Sequence, residues 1–181
     1  MTDSAPAGPG HVVLVGMMGV GKTTVGRRIA AALDRPFRDT DAEIEKRSGR
    51  AVAAIFAEDG EPTFRALETD VLRALVEDPT PSVIAAAGGV VLSPANRQVL
   101  AGAGTVVWLK APVGVLLGRV RNGAHRPALA ADPEGTLMQM ETTRQDLYAE
   151  VADIVIDSSM PITAVVAAIL EAVAAPDEVT R

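Results

Sequence analysis

Between residues 16 and 24 the chain reads Gly16-Met17-Met18-Gly19-Val20-Gly21-Lys22-Thr23-Thr24, the G-x-x-x-x-G-K-[ST] spacing of a phosphate-binding loop. A polyphosphate needs several backbone N–H groups converging on it. Glycines permit the backbone conformations this requires, and the helix that follows adds its positive N-terminal end. Lys22 supplies a mobile full charge, and Thr23 the hydroxyl that such loops place on Mg²⁺, while Thr24 is left to pack or cap the helix. Met17 and Met18 line apolar contacts rather than serve redox chemistry. The bland alternative is a glycine-rich turn that caps a helix. The position of the motif, directly after an apolar run and directly before a helical pattern, favours nucleotide binding by residues 16–24.

Seventeen residues after Lys22 comes Asp39-Thr40-Asp41. A spacing of two on an extended segment aims both carboxylates the same way, towards the crevice outside the strand ends where open α/β sheets bind ligands. One can serve magnesium and the other an acceptor hydroxyl. The structural alternative makes Asp41 the N-cap of a helix running through Ala42-Glu43-Ile44.

Further along stand Gly60-Glu61-x-x-Phe64-Arg65-x-x-Glu68, a Gly88-Gly89 pair after the third strand pattern, Arg126-Pro127, and Arg144 four residues before Tyr148. With the loop and D-T-D, in this order and spacing, the chain resembles the shikimate kinases, small members of the nucleoside-monophosphate-kinase-like P-loop group, over about residues 12–173. Gluconate kinases share the loop and the size but lack the D-T-D and G-E-x-x-F-R-x-x-E combination.

The resemblance implies transfer of the γ-phosphoryl of ATP to the 3-hydroxyl of shikimate, with Mg²⁺ as cofactor, in chorismate and aromatic amino acid biosynthesis. By position, Asp41 matches the aspartate that contacts the reacting hydroxyl, and Asp39 the one that assists magnesium through water. Arg65 and Arg144 match the arginines that hold the acid's carboxylate, a task suited to bidentate forks. Gly88 and Gly89 match backbone lining the same pocket. Glu68, one helical turn past Arg65, is placed to orient that guanidinium or meet a substrate hydroxyl. Arg126 matches a lid arginine that closes over the transferring phosphoryl. Arg119 matches an arginine that stacks on adenine, and residues 158–161 the adenine-facing loop. Lys22, Asp41 and Arg126 are thus the implied catalytic set. Two positions depart from the family pattern: Ala87-Gly88-Gly89 replaces three glycines, and Arg126-Pro127-Ala128-Leu129 replaces R-P-L-L. The first is expected to alter affinity rather than the reaction. Two other functions stay open, a related kinase acting on gluconate and a nucleotide-binding regulatory homologue.

These residues need a scaffold, and the apolar pattern supplies one. Runs at 12–15, 83–87, 106–109 and 154–156 show no polar alternation, as expected of strands buried on both faces, and 37–39 is a weaker fifth. Helical spacing marks 22–33, 62–76, 94–100, 113–120, 135–149 and 162–173. Pro62, Pro94 and Pro161 sit at helix starts. Alternation of this kind predicts an α/β three-layer sandwich: a five-stranded parallel sheet with helices on both faces and a mobile lid at about 121–132. The expected organisation is one kinase domain over 11–175 between disordered tails, 1–10 and 176–181.

Composition narrows the partners. The 181 residues suit one compact domain, and the formal charge of -6 repels polyanions, so anion binding must be local. Aromatic residues are only 3%, too few for a base-stacking platform, which argues against nucleic acid. Only Lys22, Lys46 and Lys110 of the 17 basic residues are Lys. With no Cys there are no disulfides, and with no export signal or span apparent the expectation is a cytoplasmic monomer that binds no membrane. His11 and His125 lack neighbours for metal binding.

Overall fold

The computed structural model describes residues 10–121 and 132–174. Its centre is β1 (His11–Val15), buried along its whole length because the run His-Val-Val-Leu-Val has no side that could face water. It pairs in parallel with β3 (Val83–Ala85) on one side and β4 (Gly104–Lys110) on the other. β2 (Phe37–Asp39) and β5 (Ile154–Asp157) complete a five-stranded parallel sheet in the order β2-β3-β1-β4-β5. Each fully buried Val, Leu or Ile of these strands contributes about 1.5–3 kcal/mol.

The helices are α1 (Lys22–Ala32), α2 (Thr40–Ser48), α3 (Val52–Val76), α4 (Pro94–Ala101), α5 (Val113–Arg121), α6 (Pro133–Val151) and α7 (Ile162–Ala174). α1 packs against α7 and the β2–β3 side of the sheet, while α4 and α6 meet each other and β4. The expected fold class therefore stands: an α/β sheet flanked by helices.

Three expectations about the scaffold needed correction. The helix expected to begin at Pro62 begins at Val52, with Gly60 (φ 81°, ψ 170°) breaking it just ahead of the proline. Thus Pro62 does start a helical stretch, but as the second limb of a kinked element. The strand expected to run to Ala87 ends at Ala85, because Ala87 N–H leaves the ladder and donates to Thr40 Oγ1 (2.9 Å). His11 opens β1 rather than preceding it, and it is fully buried. Its Nδ1 accepts from Ser82 N–H (3.0 Å) while Nε2 faces the Val76 carbonyl (3.2 Å), the pattern of a neutral ring protonated on Nε2.

Candidate active site

The phosphate loop forms because β1 ends at Val15 and α1 starts at Lys22, leaving the six residues 16–21 to reverse the chain. Gly16, Gly19 and Gly21 take φ of 136°, 83° and 97°, all in the region that disfavours side chains. Gly21 is the N-cap of α1 and no side chain hydrogen-bonds to that end. Its N–H groups are therefore available to an anion. Thr24 neither packs nor caps: it is exposed at the rim of the cavity described below. Met17 is buried in the core, whereas Met18 and Val20 line the cavity. Lys22 Nζ donates to the carbonyls of Gly16 (2.6 Å) and Met17 (3.1 Å), which holds the charge across the loop.

Asp39 lies beside the start of α1. Its Oδ2 accepts from Thr23 Oγ1 (3.0 Å), and its Oδ1 accepts from the N–H of Asp41 (3.1 Å), capping α2. The N-cap of this helix is thus Asp39 and not Asp41. Asp41 lies in the first turn, so the two carboxylates do not share an extended segment, yet both line the cavity. Thr40 between them is buried and accepts from Ala87 N–H, tying α2 to the chain beyond β3.

Asp41 Oδ1 is buried without a hydrogen-bond partner among the described residues. Burial raises the Asp41 pKa above its ordinary value, and neighbouring Asp39 pushes the same way against Lys22 and Arg65. A carboxylate held like this accepts a proton more readily than a solvated one.

Arg65 sits one side further. Its Nη1 donates to both oxygens of Glu68 (3.1 and 3.0 Å), while Nε and Nη2 donate to Glu61 Oε1 (3.1 and 2.9 Å). Burial opposes the Arg65 charge, but Glu68 and Glu61 more than offset it and raise its pKa. Glu68 is fully buried, and that burial raises its pKa despite Arg65. Gly89 leaves room for the guanidinium: a Cβ there would stand 2.6 Å from Arg65 Nη2.

Arg144 comes from α6 and donates through Nη1 to the Gly88 carbonyl (3.2 Å), leaving its buried Nε unpartnered. Tyr148, one turn on, donates to the same carbonyl (2.5 Å), and its own burial pushes the phenol up to about 12. Sequence reasoning gave Tyr148 no role. The available signal was its i+4 spacing from Arg144, which puts both on one helix face. Ala87 has no positive φ, so its Cβ brings no backbone strain.

Arg119 bridges two segments, donating to the carbonyls of Gly19 (3.3 Å) and Ser158 (2.7 Å). One cavity of about 920 Å³ runs from Arg119 and Ser158 past the phosphate loop and Asp41 to Arg65, Gly88, Gly89 and Arg144, while Glu68, Thr40 and Tyr148 are outside its lining. Arg126, with most of the expected lid, lies outside the described residues. Among the described residues no cluster of three His, Cys, Asp or Glu could by itself hold a metal.

Comparison with known proteins places this geometry. A family model described as shikimate kinase matches residues 18–174. The chain is 49% identical to a shikimate kinase of Aromatoleum aromaticum, over 81% of this chain and 83% of that one. It is 45% identical to one of Bordetella avium, over 88% and 77%. Among solved structures it is similar to shikimate kinase from Acinetobacter baumannii in complex with shikimate, with a TM-score of 0.88 and 37% identity over 93% of this chain and 95% of that one.

Proposed function

The chain belongs to the shikimate kinase family, a family of ATP-dependent kinases of aromatic amino acid biosynthesis, and we propose that it transfers the γ-phosphoryl group of ATP to the 3-hydroxyl of shikimate. The observation that carries the reading is Asp41 Oδ1, a buried oxygen with no partner, in the cavity that holds the phosphate loop at one end and two arginines at the other.

An alcohol is a weak nucleophile, so the residues must position it and take its proton as the new bond forms. In the proposed step the substrate carboxylate docks on Arg65 and Arg144, a pairing that charge and fork geometry favour. That places its hydroxyl against Asp41. The hydroxyl oxygen attacks the γ-phosphorus, the bond from phosphorus to the bridging oxygen of ADP breaks, and the proton passes to Asp41 late in the transfer. The N–H groups of residues 16–24 and Lys22 bind the phosphates and neutralise charge that builds on the leaving oxygen. To do so Lys22 exchanges its bonds to Gly16 and Met17 for phosphate oxygens as ATP binds.

The metal side fits Mg²⁺, since Thr23 Oγ1 and Asp39 Oδ2 are hard oxygen donors, already bonded to each other. Thr23 would hold the ion directly and Asp39 through water, and the ion would supply positive charge to offset that of the phosphates. Arg119 offers a plane for adenine. Arg126, by its place in the family pattern, supplies the lid cation, and Glu68 orients Arg65. A cytoplasmic monomer completes the reading. Among the described residues no helix is long and apolar enough to cross a membrane.

A coupled assay of ADP release with ATP, Mg²⁺ and a panel of hydroxy acids tests the proposal. Rapid turnover is expected with shikimate and not with gluconate. Equal release without any acceptor would favour a nucleotide-driven switch instead.

A further inference from the structure

The acid clamp is already occupied by a carboxylate of the chain itself. Arg65 offers two faces. Nη1 donates to both oxygens of Glu68, whose side chain is fully buried, so water has no access to replace that partner. The Nε–Nη2 edge is the fork that takes a carboxylate side-on, and both of its donors converge on Glu61 Oε1. Unlike Glu68, the Glu61 side chain is 60% exposed. It also lines the cavity and follows directly on Gly60, where α3 breaks, so the residue stands at the start of a helical limb rather than inside one.

We infer that Glu61 is a tethered competitor: it fills the side-on fork of Arg65 and must be displaced by the carboxylate of the acid substrate. This rests on the reading of Arg65 as an acid clamp and adds what sets the affinity of that clamp. An exposed ion pair is weak, so leaving costs Glu61 little, and water takes up its charge. A small carboxylate with nothing else to offer gains too little to displace it. An acid that also reaches Arg144 and places a hydroxyl on Asp41 gains enough. The competition therefore selects hydroxy acids of the right span over the simple carboxylates of the cell, at the expense of some affinity.

The opposite role is equally concrete: Glu61 could hold Arg65 in the orientation the substrate needs. The two roles differ in sign. For competition, Glu61→Gln lowers KM for shikimate by about 2–5-fold, the span that corresponds to an exposed pair, with kcat and KM for ATP unchanged. Acetate and propionate become competitive inhibitors of the variant at concentrations that leave the wild type untouched. Glu61→Ala is expected to behave the same way, and thermal melts of both variants report that the fold is retained. Unchanged or raised KM for shikimate in both variants would overturn the inference. A wild-type protein that does not turn over shikimate would instead fail the proposed function, so the two failures read differently.

Discussion

Thr23 Oγ1 donates a 3.0 Å hydrogen bond to Asp39 Oδ2, joining the first turn of α1 to the end of β2. The same aspartate caps α2 with its other oxygen, so its position is fixed from two sides. A preset oxygen pair of this kind is expected to govern metal use more than nucleotide contact. Asp39→Asn should raise the Mg²⁺ concentration for half-maximal rate by about 10–100-fold, the usual effect of losing a group that acts on a metal through its neighbours. A magnesium titration at saturating ATP and shikimate measures this. An unshifted titration would remove Asp39 from the metal side.

Gly88 and Gly89 are adjacent, yet the structure separates them. Gly89 has φ of -91°, open to any residue, so what it must avoid is volume: its Cβ would press into the Arg65 guanidinium. At Gly88 the nearest atom to an added Cβ is the Gly16 carbonyl oxygen at 3.5 Å, an ordinary contact. Gly89→Ala should therefore displace Arg65 and cut kcat/KM for shikimate by roughly 10–100-fold, as misplacement of a clamp does. Gly88→Ala should stay within about 3-fold. Equal losses in the two variants would contradict the distinction.

Most of this site was legible in the sequence because its parts have fixed spacing. The phosphate loop, D-T-D and the arginines are short patterns whose residue types admit few other uses together. What was not legible depended on how segments bend. The two aspartates were expected side by side on an extended strand, but Asp39 turns the chain into α2, a helix whose polar sequence buries only Thr40 and Ile44 and so leaves almost no apolar stripe to read. The first limb of α3 was missed because Gly60 and Pro62 look like a helix start, not a kink within one. Thr40 and Tyr148 act through backbone carbonyl and N–H groups far along the chain, and such partners leave no trace in residue identity.

The pH response follows from Asp41. Burial, with Asp39 beside it, holds its pKa above the ordinary 3.8 in the folded chain. The folded state then binds that proton more tightly than the unfolded one. This contribution to stability is fully present below the ordinary value and is lost as pH rises through the folded one. Asp41→Asn should accordingly raise Tm at neutral pH while leaving it nearly unchanged under strongly acidic conditions, as read by thermal melts across pH. In the wild type, the acidic limb of kcat/KM should lie above the range of a solvated Asp, because the proton acceptor must be ionised. A Tm lowered at neutral pH by the substitution would contradict the raised pKa of Asp41.

In the proposed step Asp41 stands between a phosphate cradle and an acid clamp and takes the proton of the acceptor. Shikimate-dependent ADP release by Asp41→Asn, alongside the Kd for ATP, tests that role. Turnover should fall by about 10²-fold or more, with ATP affinity within about 2-fold of the wild type. Turnover at the wild-type rate, or a loss that appears only in ATP binding, would contradict it.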